Sequence, residues 1–151
     1  TVDFRNTLVV MTSNLGGELW MGGREVSVMR DSITHVLQAH FKPEFLNRID
    51  DIIVFSPLTR DEVKAIARMY LDRINDQMKA KGKTVTVTDE ALEHLVDCGY
   101  SPKYGARFLK RTIDDKVKIE LTLKWKQGNE FLVDMRDGIL WVESMEGMAL
   151  V

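Results

Sequence analysis

Cysteine is nearly missing: Cys98 stands alone among 151 residues, so neither a disulfide framework nor a cysteine-based zinc spacing can be built. Histidine is equally scarce. His35, His40 and His94 include no pair flanking a glutamate at metalloprotease spacing, and no metal is expected. No apolar run approaches the ~20 residues a membrane helix needs. No signal peptide opens the chain, so an intracellular, cytoplasmic location is the expectation. Charge of either sign is not in excess: Lys and Arg number 21 against 23 Asp and Glu, for a net charge of -2. A charge-driven grip on nucleic acid or an acidic membrane is thereby disfavoured. Internal repeats and low-complexity tracts are absent too. What is present is a chain 44% hydrophobic, long enough for one medium domain or two small lobes around a real core.

Leu8-Val9-Val10-Met11 is a short apolar run of the kind buried on both faces of a parallel sheet. It ends in Thr12-Ser13-Asn14, and the C-terminal ends of such strands are where ligands sit. Gly16-Gly17 and Gly22-Gly23 mark a flexible connection. Met29, Ile33, Val36, Leu37 and Phe41 then fall at helical spacing. Pro43 breaks that helix and starts a short turn, and Ile52 to Phe55 reads as a second buried strand. Behind Pro57 the character changes. Thr59 and Glu62 form a capping box, with Leu58 and Val63 placed as a staple. The helix that follows aligns Val63, Ile66, Ala67, Tyr70, Ile74 and Met78. Val85 and Val87 alternate as a half-buried strand, Thr88 caps a helix through Leu92, Leu95 and Val96, and Gly99 stands where a C-terminal cap belongs. Residues Gly105 to Trp125 form a longer helix with Leu109, Ile113, Val117 and Leu121 in one row. Phe131 and Val133, then Ile139 and Trp141, flank an Asp137-Gly138 turn as a closing hairpin. The organisation is the tail of an α/β lobe, residues 1–57, followed by a compact α+β lobe, residues 58–151. Two buried strands with one helix between them leave sheet edges uncovered, so more chain or another copy is expected there.

Two lures can be set aside. Gly82-Lys83-Thr84 imitates the end of a phosphate-binding loop, but the leading position is Gln77 and the segment runs into a strand. Val87-Thr88-Asp89-Glu90 imitates a metal-binding strand end and reads as an N-cap. Cys98, beside a helix end, reads as a buried structural thiol. Two arginines remain. Arg48, in Asn47-Arg48, is held between rigid elements. Arg107, in Gly99 through Arg107, falls in the first turn of a helix, where a cation opposes the helix dipole and an anion nearby would explain it.

At these segments the sequence resembles a known family. Thr1 to Thr7, the strand into Met11-Thr12-Ser13-Asn14, Lys42-Pro43-Glu44-Phe45-Leu46-Asn47-Arg48-Ile49-Asp50 and Gly99-Tyr100 through Arg107 are similar to the second ATPase ring of the Clp/Hsp100 AAA+ proteins, nearest to the ClpB-type disaggregases. The resemblance implies an α/β fold: the end of an AAA+ large subdomain, then an α+β small subdomain with helices and a short three-stranded sheet. It implies that Asn14 is sensor 1, Arg48 the arginine finger acting on a neighbouring subunit's nucleotide, and Arg107 sensor 2 on its own subunit's γ-phosphate. Ile66 and Ala106 are assigned to the adenine. The implied cofactor is ATP, with Mg2+ supplied through upstream motifs. The implied partners are neighbouring copies in a homohexamer, unfolded or aggregated polypeptide, and an Hsp70 system reached through other regions.

Two departures qualify the match. Walker A and Walker B motifs are missing, so the chain is expected to begin after the Walker B strand of a larger subunit and to be inactive alone. Phe108 replaces the proline usual after the Gly-Ala-Arg motif. The short stretch between Leu15 and Lys42 lacks the tripeptide by which unfoldases dock a peptidase, which favours a disaggregase over a peptidase-serving unfoldase or a secretion-sheath disassembly ATPase. A reading of another class is an oligomerisation module without nucleotide contacts.

Overall fold

The computed structural model describes residues 6–17, 19, 26–101 and 104–145, with backbone alone for 26–30. Thr1 to Arg5, Gly22-Gly23, the side chain of Met29 and Pro102-Lys103 lie outside the described residues. The chain divides into two units, Thr1–Ser56 and Pro57–Val151.

In the first unit, helix α1 (Val26–His40) buries Ile33 and half-buries Val36 and Leu37, as their spacing predicts. The His40 Nδ1 donates to the Val36 carbonyl one turn back, at 2.9 Å. Pro43 occupies the first position of the four-residue helix α2 (Pro43–Leu46), where its missing N–H costs nothing. The Phe41 and Phe45 rings stack at 5.2 Å, bracing the α1–α2 corner. The two expected strands are corrected: Leu8–Met11 and Ile52–Phe55 form no strand. Leu8 is 90% exposed and Phe55 85%. A parallel strand needs ladder partners and cover on both faces, and no described residue of this unit supplies either.

The second unit is built on signals that sit next to one another in sequence. Helix α3 (Arg60–Lys79) starts with the expected capping box: the Glu62 N–H donates to Thr59 Oγ1 (3.3 Å) and the Thr59 N–H to Glu62 Oε2 (2.7 Å). Its buried face is Val63, Ala67, Leu71, Ile74 and Met78, with Ile66 and Tyr70 at the margin. Gly82 turns the chain with φ +73° into strand β1 (Thr84–Val87), confirming that this glycine belongs to a turn and not a phosphate loop. Thr88 caps helix α4 (Asp89–Gly99) by accepting from the Ala91 N–H. Strands β2 (Glu130–Arg136) and β3 (Ile139–Ser144) form an antiparallel hairpin, and β1 joins β2 in parallel, Val85 beside Phe131 and Val87 beside Val133. Asp137 (φ 52°) and Gly138 (φ 76°) both occupy the left-handed region, as a two-residue turn matched to strand twist requires. On β3 the inward residue is Val142, opposite Val133, while Ile139 (65%) and Trp141 (45%) are exposed. Leu140 and Val142 therefore share the inward face of β3.

The long helix begins later than its sequence pattern suggests and is wound unevenly. Helix α5 (Leu109–Ile113) passes into a π-helical segment (Asp114–Lys118), where the Ile119 N–H reaches back five residues to the Asp114 carbonyl, and continues as α6 (Ile119–Leu123). Leu109, Ile113, Val117 and Leu121 are all at most 2% exposed. An α-helix turns about 100° per residue, so three successive four-residue steps would carry the row about 120° around the axis. The wider π turn takes up that drift and keeps all four on the core face. No helix among the described residues is long and apolar enough to cross a membrane.

Candidate functional site

Asn14 closes an irregular segment of the first unit. The Leu15 N–H donates to Ser13 Oγ (3.2 Å) and the Gly17 N–H to the Asn14 carbonyl (3.2 Å), with Gly16 at φ +78°. The Asn14 side chain is exposed and makes no hydrogen bond to a described residue. Arg48 follows α2 in a closed turn: Asn47, Arg48 and Ile49 N–H groups donate to the Pro43, Phe45 and Leu46 carbonyls at 2.9–3.1 Å. The backbone is fixed while the guanidinium stays exposed. A concavity nearby in sequence is lined by Asp31, Asp50, Asp51, Ile33 and Ile52 among others. Its three carboxylates repel a polyphosphate, so it does not suit one.

In the second unit Arg107 is not in a first helical turn, which corrects the dipole argument. It lies in the turn before α5, its N–H directed at the Tyr104 carbonyl (3.4 Å); in the same turn the Tyr104 and Phe108 rings meet edge to face (5.6 Å). Its side chain is exposed. Ile66 and Ala106 are both half-buried and pack on the core of this unit.

The arginines as a set are informative. Among the described residues, Arg60 pairs with Glu93 and Asp97, Arg68 with Asp89, Arg111 with Asp115 and Arg136 with Glu143, while Arg73 lies over the Tyr70 ring. Among the arginines whose side chains are described, only Arg48 and Arg107 make no ion pair, side-chain hydrogen bond or ring contact to a described residue. They are the two that the sequence singled out. Two uncommitted guanidinium forks and one uncommitted amide suit the oxygens of a phosphate ester, and in this respect the residues present fit ATP. Asn14 and Arg48 belong to the first unit, and Arg107, Ile66 and Ala106 to the second.

Two of the partnered arginines, Arg60 and Arg68, link α3 to α4. The hydrogen bonds it donates to Asp97 and then to Glu93 raise the Arg60 guanidinium further above its already high range. The Glu93 carboxyl is held below its ordinary value by hydrogen bonds from Lys64 and then Arg60, and Asp97 by its bond from Arg60. The neighbouring Cys98 is exposed, not buried as expected, and its Sγ lies 3.4 Å from His94 Nε2. The signal was available, since a histidine four residues before a cysteine on a helix shares its face.

Residues 58–131 match the model of the C-terminal, D2-small domain of ClpB protein, and residues 1–52 that of the AAA domain of the Cdc48 subfamily. The chain is 40% identical over 148 residues to Chaperone protein ClpB 1 of Synechocystis, covering 92% of this chain and 16% of the relative. It is 45% identical over 131 residues to Chaperone protein ClpB of Rhizobium meliloti (85% and 15%), and 41% over 128 residues to that of Meiothermus ruber (82% and 15%). It therefore spans about a sixth of the length of these relatives. With the end of an AAA domain followed by a D2-small domain, and ClpB chaperones as relatives along most of its length, the chain belongs to the Clp/Hsp100 AAA+ family, on its ClpB side.

Proposed function

We propose that the chain is the C-terminal AAA+ portion of an ATP-dependent, ClpB-like disaggregase, with residues 1–57 ending the large subdomain and residues 58–151 forming the small one. The observation that carries the reading is the pair of uncommitted arginines, Arg48 and Arg107, where the other arginines with described side chains are engaged. Bound ATP, with Mg2+ held by upstream motifs, supplies the transferable phosphoryl group. Hydrolysis then needs preorganised donors where negative charge develops. Asn14 orients the attacking water through its amide. Arg107 donates to the phosphate oxygens of its own subunit's nucleotide, and Arg48 to those of a neighbouring subunit's. Ile66 and Ala106 offer apolar surface to the adenine. Trans action by Arg48 requires a ring, here a homohexamer in the cytoplasm, and the work done is the threading of aggregated polypeptide, with an Hsp70 system engaged by other regions.

The test is complementation in the complete subunit. Arg48→Ala should lower ATPase in uniform rings by roughly 10³–10⁵. Mixed with subunits lacking their phosphate-loop lysine, it should recover turnover, since one partner supplies the finger and the other the site. Arg107→Ala mixed in the same way should recover none. Equal recovery by both, or none by Arg48→Ala in hexamers verified by light scattering, refutes the trans and cis assignments.

A further inference from the structure

Gly99 ends α4, and its expected role was a C-terminal cap, which calls for a left-handed residue. Its φ is not in that region; the positive-φ glycines described are Gly16, Gly82, Gly105 and Gly138. The reason for glycine at 99 is proximity. A Cβ placed there would stand 2.7 Å from the Cα of Leu109 and 2.7 Å from its Cδ1. One of the two contacts is backbone, so no rotamer of Leu109 relieves it. Only a retreat of α5 from α4 does. Leu109 is itself fully buried and lies two residues beyond Arg107.

The segment between the two helices is closed on itself. Ser101 and Gly105 exchange both backbone hydrogen bonds, the Ser101 N–H to the Gly105 carbonyl (3.1 Å) and the Gly105 N–H to the Ser101 carbonyl (2.6 Å). Gly105 has φ +60° with nothing within 4 Å of where a Cβ would stand. Its constraint is conformational, whereas that of Gly99 is steric. Arg107 therefore hangs from a backbone fixed on one side by the Gly105 turn and on the other by the α4–α5 contact, while its own side chain is bound to nothing described.

We infer that Gly99 and Gly105 are positioning residues for Arg107: they set where its guanidinium stands without touching a ligand. The inference rests on the nucleotide reading of Arg107 given above. A Cβ at 99 must be moved from 2.7 Å to at least the 3.4 Å of ordinary contact, which displaces the start of α5 by the better part of an ångström. A misplacement near 1 Å at a catalytic constellation can lower rates by roughly 10²-fold.

The experiment is a double-mutant cycle in the complete subunit, read as steady-state ATP turnover. Gly99→Ala should lower turnover between about 10- and 100-fold in the otherwise unaltered subunit and no further in an Arg107→Ala background. Val142→Ala, which weakens the same unit far along the chain from this segment, should leave turnover unchanged. If Arg107→Ala is silent, the nucleotide reading falls and this inference with it. If Arg107→Ala is deficient but folded Gly99→Ala is as active as the parent, the inference alone falls. Multiplying effects in the double mutant, or an equal loss from Val142→Ala, also overturn it. Should Gly99→Ala fail to fold, Gly105 decides: Gly105→Val should lose turnover while Gly105→Asn, which tolerates the left-handed region, retains it. Equal activity of those two variants overturns the proposal.

Discussion

Deleting one residue from the interior of a helix ordinarily rotates everything beyond it by about 100° and ruins the packing. In this protein one deletion should be harmless. Lys116 is exposed and lies inside the π-helical segment Asp114–Lys118. Removing it changes the spacing of the buried row Leu109, Ile113, Val117 and Leu121 from four-four-four to four-three-four. On a regular α-helix those positions fall within an arc of about 60°, narrow enough for one apolar stripe. The helix should become continuously α-helical with the same four residues in the core. Its melting temperature should stay within about 8 °C of the parent, the shift that roughly 1 kcal/mol produces in a domain of this size. The control is deletion of Asp72, an exposed residue of α3 between the buried Leu71 and Ile74. No π turn compensates there, and the buried face downstream swings toward solvent. Thermal denaturation followed by far-ultraviolet circular dichroism measures both. An unfolded Lys116 deletion, or a harmless Asp72 deletion, would refute the account of why the helix is under-wound.

Other predictions concern single side chains. Val142→Ala should cost about 2 kcal/mol in denaturant unfolding, and Trp141→Ala distinctly less; the reverse order would show the β3 parity to be misassigned. Thr59→Ala removes one half of the α3 capping box and should cost about 1 kcal/mol, whereas Thr59→Ser should restore most of it. The Glu62 carboxyl is held below its ordinary 4.5 by hydrogen bonds from the Thr59 backbone and then its side chain, and Asp134 below 3.8 by Thr88 and then the Met135 N–H. Glu93 and Asp97 are lowered likewise. For such groups the unfolded chain takes up protons first. The stability they confer is complete above about pH 5 and is lost as the pH falls through the ordinary carboxylate range. Thr88→Ala should therefore flatten the acid limb of a pH–stability curve, and an unchanged limb would contradict the linkage.

The starts of α3 and α4 and the hairpin turn were legible because each is specified by residues adjacent in sequence: Thr59 with Glu62, Thr88, and Asp137 with Gly138. The row Leu109, Ile113, Val117 and Leu121 was legible as a buried set, but the π turn that makes it possible is a consequence of that spacing that no propensity announces. Leu8–Met11 and Ile52–Phe55 carry a buried-strand pattern that depends on partners elsewhere, so their pattern and their exposure disagree. Which face of β3 turns inward was not legible, since one residue of slippage exchanges the faces of a strand. Of the candidate site, Arg48 and Arg107 stood out in the sequence as positions, but their lack of partners is a property of space. The steric demand at Gly99 could not be read at all, because Leu109 lies ten residues away on another helix.

The parallel pairing of β1 with β2 bears on how this unit comes together in time. Lys83 with Asn129, and Thr88 with Asp134, are 46 positions apart, and all of α4 to α6 intervenes. The hairpin can close over a two-residue turn on the microsecond scale. Docking of β1 has no such shortcut, since it must await a large loop closure whose entropy is paid before its ladder bonds form. The Thr88 hydroxyl, which accepts from the Ala91 N–H and donates to Asp134 Oδ1 at 2.8 Å, ties the start of α4 to the middle of β2. That bond is available only late. A nascent chain leaving the ribosome therefore holds β1 as an unpaired edge until residues 130–136 have emerged.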